Sequence, residues 1–300
     1  MALIVVPQVA ELQAIAGAFQ QVRWPWLAAA ATASAVTYPM AAAEIAGAAG
    51  RRLPPGQAAL AEIASAVAAV AAPSGIGGAS IVIRYLERRG LTRADSIAAV
   101  TLANAAGFLI HVILLTIAGT FLARARVQAM GMPPRWGVLL AVIVVATLAA
   151  ITLWSPFGGH LPGPIRQAAR SLVATARQTI RRLAALGKHP FQTAVLVAGG
   201  VGITTGYVLA LWYSLRTVGA QPPLTVAAVA YLAGSAVGAA SPTPGGLGAL
   251  DAALTGILIH FNVTSGQAVA GVLVFRLVTY WLPVLPGAAA VAVLRRRGAL

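Results

Sequence analysis

The sequence contains no cysteine and few charged residues. Only 9% of its 300 residues are Asp, Glu, Lys or Arg. The absence of cysteine excludes disulfides and thiolate metal sites. Soluble domains carry charge on about a quarter of their residues, so this composition excludes an ordinary soluble domain.

Acidic residues are the scarcer of the two charged classes. Six Asp and Glu stand against 21 Lys and Arg, which gives a net charge of +15. No His, Cys, Asp and Glu cluster has metal-site spacing, and no phosphate-binding loop ends in Gly-Lys-Ser or Gly-Lys-Thr. So few carboxylates disfavour a membrane glycosyltransferase. The sequence therefore favours a protein that is not an enzyme, and no motif implies a cofactor.

Apolar residues make up most of the chain. They account for 59% of the sequence, and the mean hydropathy is +0.84. A transmembrane helix needs about 20 apolar residues, so this length allows roughly seven or eight spans. We expect an all-α, polytopic transmembrane helical bundle, with residues 1–300 forming one domain. The apolar residues 1–7 lack a basic flank and a cleavage site, which favours a first transmembrane helix that starts upstream.

Basic residues are concentrated in short connectors. The connectors 84–93 and 163–189 and the C-terminal tail are rich in Arg, so we place them in the cytoplasm. The connector 261–266 carries no basic residue and is placed outside. The arginines of 124–135 disagree with this orientation. The pattern predicts a multi-pass protein of the cytoplasmic membrane, and the lack of interleaved aromatics argues against a nucleic-acid partner.

One glycine-rich motif occurs twice. Pro73-Ser-Gly-Ile-Gly-Gly78 returns as Pro244-Gly-Gly-Leu-Gly-Ala249, with the Pro and two Gly at a constant offset of 171 residues (244 minus 73). Glycine breaks at matching places in two halves are typical of transporters built from internal repeats. We predict a first half over 19–121 and a second over 191–294. The connector charges place the two motifs on opposite sides, which predicts an inverted repeat.

The two motifs are candidates for a lipid-binding site. Backbone groups freed by Gly and Pro survive at membrane depth only where protein or a water-filled cavity satisfies them. We therefore expect broken or re-entrant helices that line a central cavity, with free N–H groups suited to a phosphate. The alternative is close helix packing through small residues. The candidate residues are Pro73, Gly75, Gly77, Gly78, Pro244, Gly245, Gly246 and Gly248.

Two opposite charges lie in or beside the apolar segments of the second half. Asp251 follows the second motif, and Arg276 lies between Phe275 and Leu277. Charges at membrane depth usually face a cavity or a partner. We expect Asp251 and Arg276 to approach each other, or Arg276 to hold a lipid phosphate. A structural pair and a transport role both remain open.

Four further polar residues fall in or near apolar segments of the first half. Glu62 and Glu44 could each neutralise a cationic headgroup or carry a proton, although snorkelling to an interface is favoured for Glu44. Arg84 either reaches a headgroup near the cytoplasmic surface or only enforces topology. For His111, hydrogen-bonded packing is favoured over a proton relay.

Residues 163–188 predict a separate amphipathic helix. Apolar side chains gather on one helical face, and arginines gather along its edge. This pattern is typical of a helix in the headgroup plane on the cytoplasmic side. A solvated connector helix is the alternative.

Several of these segments resemble one known family. The stretches 241–251 and 276–283 and the terminal Arg295-Arg-Arg resemble the conserved end of the transmembrane region of lysylphosphatidylglycerol synthase/flippase. Residues 73–79, with Arg84-Tyr-Leu and Gly90, resemble its first-half motif. The similarity extends from about residue 19 onward.

The resemblance implies a domain that translocates an aminoacylated or otherwise modified lipid, with an anionic or aminoacylated phospholipid as its partner. The family commonly has Glu where this chain has Asp251. No aminoacyltransferase domain follows Leu300, so lipid synthesis is not expected. Two alternatives remain: a scaffold that does not transport but docks a lipid-modifying or glycosyltransferase enzyme, and a secondary transporter of small solutes.

Overall fold

The computed structural model describes residues 22–71, 76–129, 189–241 and 243–300, which contain helices and no strand. The helices are α1 Trp24–Ala49, α2 Pro55–Ala71, α3 Ile76–Arg88, α4 Arg93–Ala129, α5 Pro190–Thr217, α6 Leu224–Ala240, α7 Ala249–His260, α8 Ser265–Arg276 and α9 Val284–Arg296. A 3-10 turn at Pro244–Gly246 lies between α6 and α7, and a π-helical turn at Leu277–Trp281 joins α8 to α9. The predicted amphipathic helix, Pro73 and Gly75 lie outside the described residues.

Several helices have the length and composition of membrane spans. Within the described ranges, these are Arg93–Arg124, Pro190–Thr217 and the continuous run Ser265–Arg296. Along α4, Phe108 and Phe121 expose 60% and 59% of their surface. Such exposure is favourable against lipid and unfavourable against water. The predicted all-α membrane bundle is confirmed.

The helix order repeats at the spacing of the glycine motifs. The first residues of α2, α3 and α4, shifted by the 171 residues that separate the motifs, fall within two residues of the first residues of α6, α7 and α8. This correspondence supports an internal repeat. The inverted orientation of its halves in the bilayer stays a prediction.

Helices α1 and α5, one from each half, pack backbone against backbone. A Cβ atom added at Gly199 would lie 2.5 Å from the Glu44 nitrogen, and one at Gly47 would lie 2.6 Å from the Leu196 nitrogen. Small residues permit such close approach between membrane helices. Close helix packing, which the sequence left open for the glycine motifs, therefore occurs at these other glycines.

Two apolar clusters hold the bundle together. One surrounds Tyr85 and Leu86 of α3 and also includes Leu294 of α9. The other surrounds Leu211 of α5 and Leu254 of α7. Because α9 packs on α2, the C-terminal helix contributes to the core of the first half. The two halves are therefore interleaved, and their helices meet around a common centre.

Candidate functional site

The second glycine motif forms a tight turn whose backbone requires glycine. Gly245, Gly246 and Gly248 have φ values of 60°, 65° and 83°, a region that other L residues rarely occupy. The Gly246 N–H donates to the Thr243 oxygen at 3.1 Å. The chain thus reverses between α6 and α7 within a few residues, which leaves the Gly245 and Gly246 carbonyls free to bond elsewhere.

Arg276 of α8 binds those carbonyls. Its Nη1 and Nη2 donate to the Gly245 and Gly246 oxygens at 3.1 and 3.3 Å, and its Nε donates to Asp251 Oδ1 at 2.5 Å. Arg276 is only 7% exposed, and charge-assisted bonds offset part of the cost of burying its charge. The structure therefore shows the predicted approach of Asp251 and Arg276.

Asp251 also caps the N-terminus of α7. Its Oδ2 accepts the Gly248 N–H at 2.9 Å, the geometry of a capping residue in the first helical turn. The sequence suggested that N–H groups of this motif suit a phosphate, but those of Gly246 and Gly248 already have protein partners. A phosphate at these two groups would have to displace those partners. Phosphate binding by the N–H groups at the start of α7, which the sequence suggested, stays a prediction.

A cavity of about 260 Å³ that includes several polar side chains in its lining lies beside this turn. Its walls come from α1, α2, α5, the 3-10 turn and the π-helical turn, so both halves contribute. The lining residues are Thr37, Tyr38, Ala41, Glu62, Ser65, Ala66, Ile203, Tyr207, Gly245, Thr279 and Tyr280. Two predicted site residues, Glu62 and Gly245, are thereby brought to one cavity.

The cavity lining is rich in hydrogen-bond acceptors. The Thr37, Ser65 and Thr279 hydroxyls donate to helix carbonyls at 2.6, 2.7 and 2.6 Å. The Ser65 and Thr279 oxygens therefore keep their lone pairs for other donors, whereas Thr37 also interacts with Tyr207. Glu62 adds a carboxyl group, and no Lys, Arg or His belongs to this lining in the described ranges. Such a cavity suits a ligand that donates hydrogen bonds or carries positive charge.

Tyr280 connects the cavity with the buried ion pair. Its ring lies against Gly245, where an added Cβ would overlap it, and the Arg276 guanidinium carbon is 5.6 Å from the ring centroid. The cation is thus adjacent to the cavity wall without being part of the lining. Asp251 and Arg276 fix the turn and the ring that together form this wall.

The π-helical turn positions two of the lining residues. The sequence Trp281-Leu-Pro283 is compatible with one kinked helix and with two shorter helices. The structure shows a continuous helical run in which the Leu282 N–H donates to the Leu277 oxygen at 2.8 Å. This widened turn carries Thr279 and Tyr280 into the cavity wall, and such turns are frequent at functional sites.

The remaining predicted residues of the first half lie elsewhere. Gly77 and Gly78 belong to the first turn of α3, and Arg84 is exposed on the same helix, outside the cavity lining. Pro244 begins the 3-10 turn. Helix α2, which leads to the first motif, contacts that turn. The first half thus reaches the cavity through α1 and through α2, with Glu62, rather than through Arg84.

The structure shows the surroundings of two further polar residues of the first half. Glu44 Oε1 is buried and has no hydrogen-bond partner, whereas the residue as a whole is partly exposed. Snorkelling of Glu44 to an interface stays a prediction. His111 Nε2 lies 2.8 Å from the Leu232 oxygen and 3.0 Å from Ser235 Oγ. Hydrogen-bonded packing of His111 between α4 and α6 is therefore observed.

Sequence reasoning missed the three lining tyrosines. Tyr38, Tyr207 and Tyr280 lie in apolar helices, where an aromatic residue facing lipid has the same local pattern. One signal was present for Tyr38, because Thr37 and Pro39 flank it and Pro39 interrupts the hydrogen bonding of α1.

Comparison with known proteins agrees with the helical membrane architecture. No curated protein matches the chain. The family model described as the lysylphosphatidylglycerol synthase TM region matches residues 2–287, which is nearly the whole chain. The chain therefore belongs to the family of the lysylphosphatidylglycerol synthase transmembrane region.

Proposed function

We propose that this protein moves the polar headgroup of a membrane phospholipid between the leaflets of the cytoplasmic membrane, and that it does so as a translocator rather than an enzyme. The observation that carries the proposal is the cavity with Glu62 in its wall, to which both halves contribute. Polar and ionisable groups inside a membrane bundle are costly and usually mark a substrate path. The family is described by the transmembrane region of a lysylphosphatidylglycerol synthase, and this description favours a lipid as the substrate.

The chemistry of the lining favours a headgroup that donates hydrogen bonds. Glu62 would attract an ammonium group, as in an aminoacylated lipid, and the hydroxyl oxygens would accept its N–H bonds. The tyrosine rings add faces that attract cations. A cavity of about 260 Å³ holds a headgroup, while the acyl chains of the lipid stay in the bilayer.

The buried ion pair has a different role in this proposal. Arg276 already bonds Asp251 and two glycine carbonyls, so it shapes the cavity wall instead of holding the lipid phosphate directly. The turn can then keep its left-handed glycines in place while a headgroup passes Tyr280. A lipid-modifying enzyme would deliver the substrate as a separate partner.

The test uses proteoliposomes of phosphatidylcholine and phosphatidylglycerol that carry lysylphosphatidylglycerol in the inner leaflet. A membrane-impermeant amine reagent outside measures how fast the lysyl headgroup appears. We expect the wild type to expose it and Glu62→Gln to slow exposure at least about tenfold, because loss of one charge-assisted bond of about 1.5–3 kcal/mol changes a rate by that order. Glu87→Gln is the matched control, since Glu87 pairs with the exposed Arg93 on the protein surface.

Two outcomes contradict the proposal. If the correctly folded wild type exposes no lysyl headgroup, the chain alone does not translocate this lipid, and the scaffold alternative is favoured. If Glu62→Gln moves lipid as fast as Glu87→Gln, the cavity is not the path.

A further inference from the structure

Among the described residues, Glu44 has a carboxyl oxygen that is fully enclosed by protein. Its Oε1 is buried without a hydrogen-bond partner, and no Lys or Arg of the described chain lies within ion-pair distance of it. It belongs to α1, at the level where α1 packs closely on α5. An ionised carboxylate in such a place carries the cost of burying an unpaired charge.

Glycines from two other helices make the space that this carboxyl occupies. A Cβ atom added at Gly200 of α5 would lie 2.8 Å from Glu44 Oε1, and one at Gly107 of α4 would lie 3.3 Å from it. Any side chain at Gly200 would also meet Ile110. The carboxyl group is thus held in a niche that only glycine on α5 leaves open.

The surroundings of the niche favour a proton over a metal cation. A hard cation needs several oxygen ligands around it, whereas the neighbours of Oε1 that the structure shows are glycines and Ile110. Helices α4 and α5 face Glu44 with Gly107, Ile110, Gly199 and Gly200, none of which titrates. His111, next to Ile110, is bonded to α6 instead.

The niche is coupled to the cavity. Ala41 of the cavity wall and Glu44 are three residues apart on α1, which places them on the same helix face. Among the described residues, Glu62 of α2, in the cavity wall, is the ionisable group that interacts electrostatically with Glu44, and like charges repel. Binding of a positive headgroup at Glu62 therefore changes the electrostatic potential at Glu44.

We propose that Glu44 is the proton-binding site that couples lipid movement to the proton gradient across the membrane. This inference rests on the proposed function. A proton from water that enters the cavity binds the Glu44 carboxylate and forms the neutral carboxylic acid. Binding of the positive headgroup at Glu62 favours release of this proton. The proton therefore moves opposite to the lipid and returns to water on the side from which the lipid binds. One proton moves for each lipid, and no other bond changes.

The first experiment measures the steady distribution of lysylphosphatidylglycerol in proteoliposomes with a pH difference of one unit and the membrane potential clamped to zero. One proton per lipid corresponds to an accumulation of up to about tenfold in one leaflet. We expect about tenfold accumulation for the wild type and for the control Glu87→Gln. For Glu44→Gln we expect equal amounts of lysylphosphatidylglycerol in the two leaflets.

A second experiment records infrared spectra of the purified proteins. We expect the band of a protonated buried carboxyl group in the wild type and in Glu87→Gln, and its loss in Glu44→Gln.

The outcomes separate this inference from the proposed function. If the wild type exchanges lipid but the two leaflets hold equal amounts of it under the pH difference, the coupling to protons is overturned and the proposed function is not. A tenfold accumulation by Glu44→Gln, or an infrared band that survives this substitution, overturns the assignment to Glu44. Accumulation driven by a sodium gradient at equal pH overturns the choice of a proton. A wild type that moves no lipid refutes the proposed function and the coupling with it.

Discussion

Replacing Asp251 with alanine would leave the buried guanidinium of Arg276 without its carboxylate. Breaking a buried pair by removing one partner costs about 3–5 kcal/mol. The Asp251 side chain is 31% exposed, and Arg276 keeps its bonds to Gly245 and Gly246, so the pair itself contributes at the low end. Loss of the cap on Gly248 adds about 1 kcal/mol. We expect the free energy of unfolding to fall by about 4 kcal/mol.

Unfolding in mixed detergent micelles, followed by circular dichroism, measures this loss. The control is Arg93→Ala, because Arg93 and Glu87 form a surface pair at 4.0 Å with 84% of the arginine side chain exposed. Such pairs contribute about 0–1 kcal/mol, so this variant should unfold almost like the wild type. The difference between the two stability losses shows how much more a buried ion pair contributes than an exposed one.

A double-mutant cycle tests the reasoning further. Removing both charges in Asp251→Ala with Arg276→Leu leaves no unpaired buried charge, so the double variant should lose less than the sum of the single losses. Coupling between contacting residues is typically about 0.5–3 kcal/mol. An Asp251→Ala variant as stable as Arg93→Ala, or a cycle with no coupling, would refute the conclusion that the ion pair of Asp251 and Arg276 stabilises the fold.

Two further substitutions examine the cavity wall and the contact between the halves. Gly245→Ala requires a non-glycine residue at φ 60° and overlaps the Tyr280 ring; we expect a loss of about 1–3 kcal/mol in unfolding free energy and slower exposure of the lysyl headgroup. Its control is Gly119→Ala, where an added Cβ meets nothing within 4 Å, and equal behaviour of the two variants would contradict the packing argument. His111→Ala removes the bond to the Leu232 oxygen and should lower the unfolding free energy by about 1 kcal/mol. Unchanged stability of this variant would show that the bond between α4 and α6 contributes nothing.

The candidate residues that could be predicted from the sequence are those with a strong local signal. Asp251, Arg276 and Glu62 stand out because charges are rare in apolar segments. The second glycine motif stands out because Pro and Gly interrupt helices. The capping role of Asp251 also has a local signal, since an acidic residue three positions after Gly248 is the pattern of a capping box.

Other residues could not be assigned from the sequence, because their environment is made by distant segments. Whether Glu44 reaches an interface or stays buried depends on Gly107 and Gly200, which belong to two other helices. The same holds for Tyr38 and Tyr207, since an aromatic side chain in an apolar helix fits lipid and a cavity wall equally well. Whether these side chains face lipid or the cavity depends on which neighbouring helix packs on each face of their own helix.

The sequence by itself determined that this is a helical membrane protein with a repeated glycine break, because hydropathy, charge scarcity and helix breakers act locally along the chain. Only the tertiary structure decided that Arg276 binds the glycine carbonyls, that Glu62 shares a cavity with Gly245, and that Glu44 is enclosed by glycines. The contacts of Arg276 join different elements of the second half. Those of Glu62 and Glu44 require the two halves to pack together, as α1 does on α5.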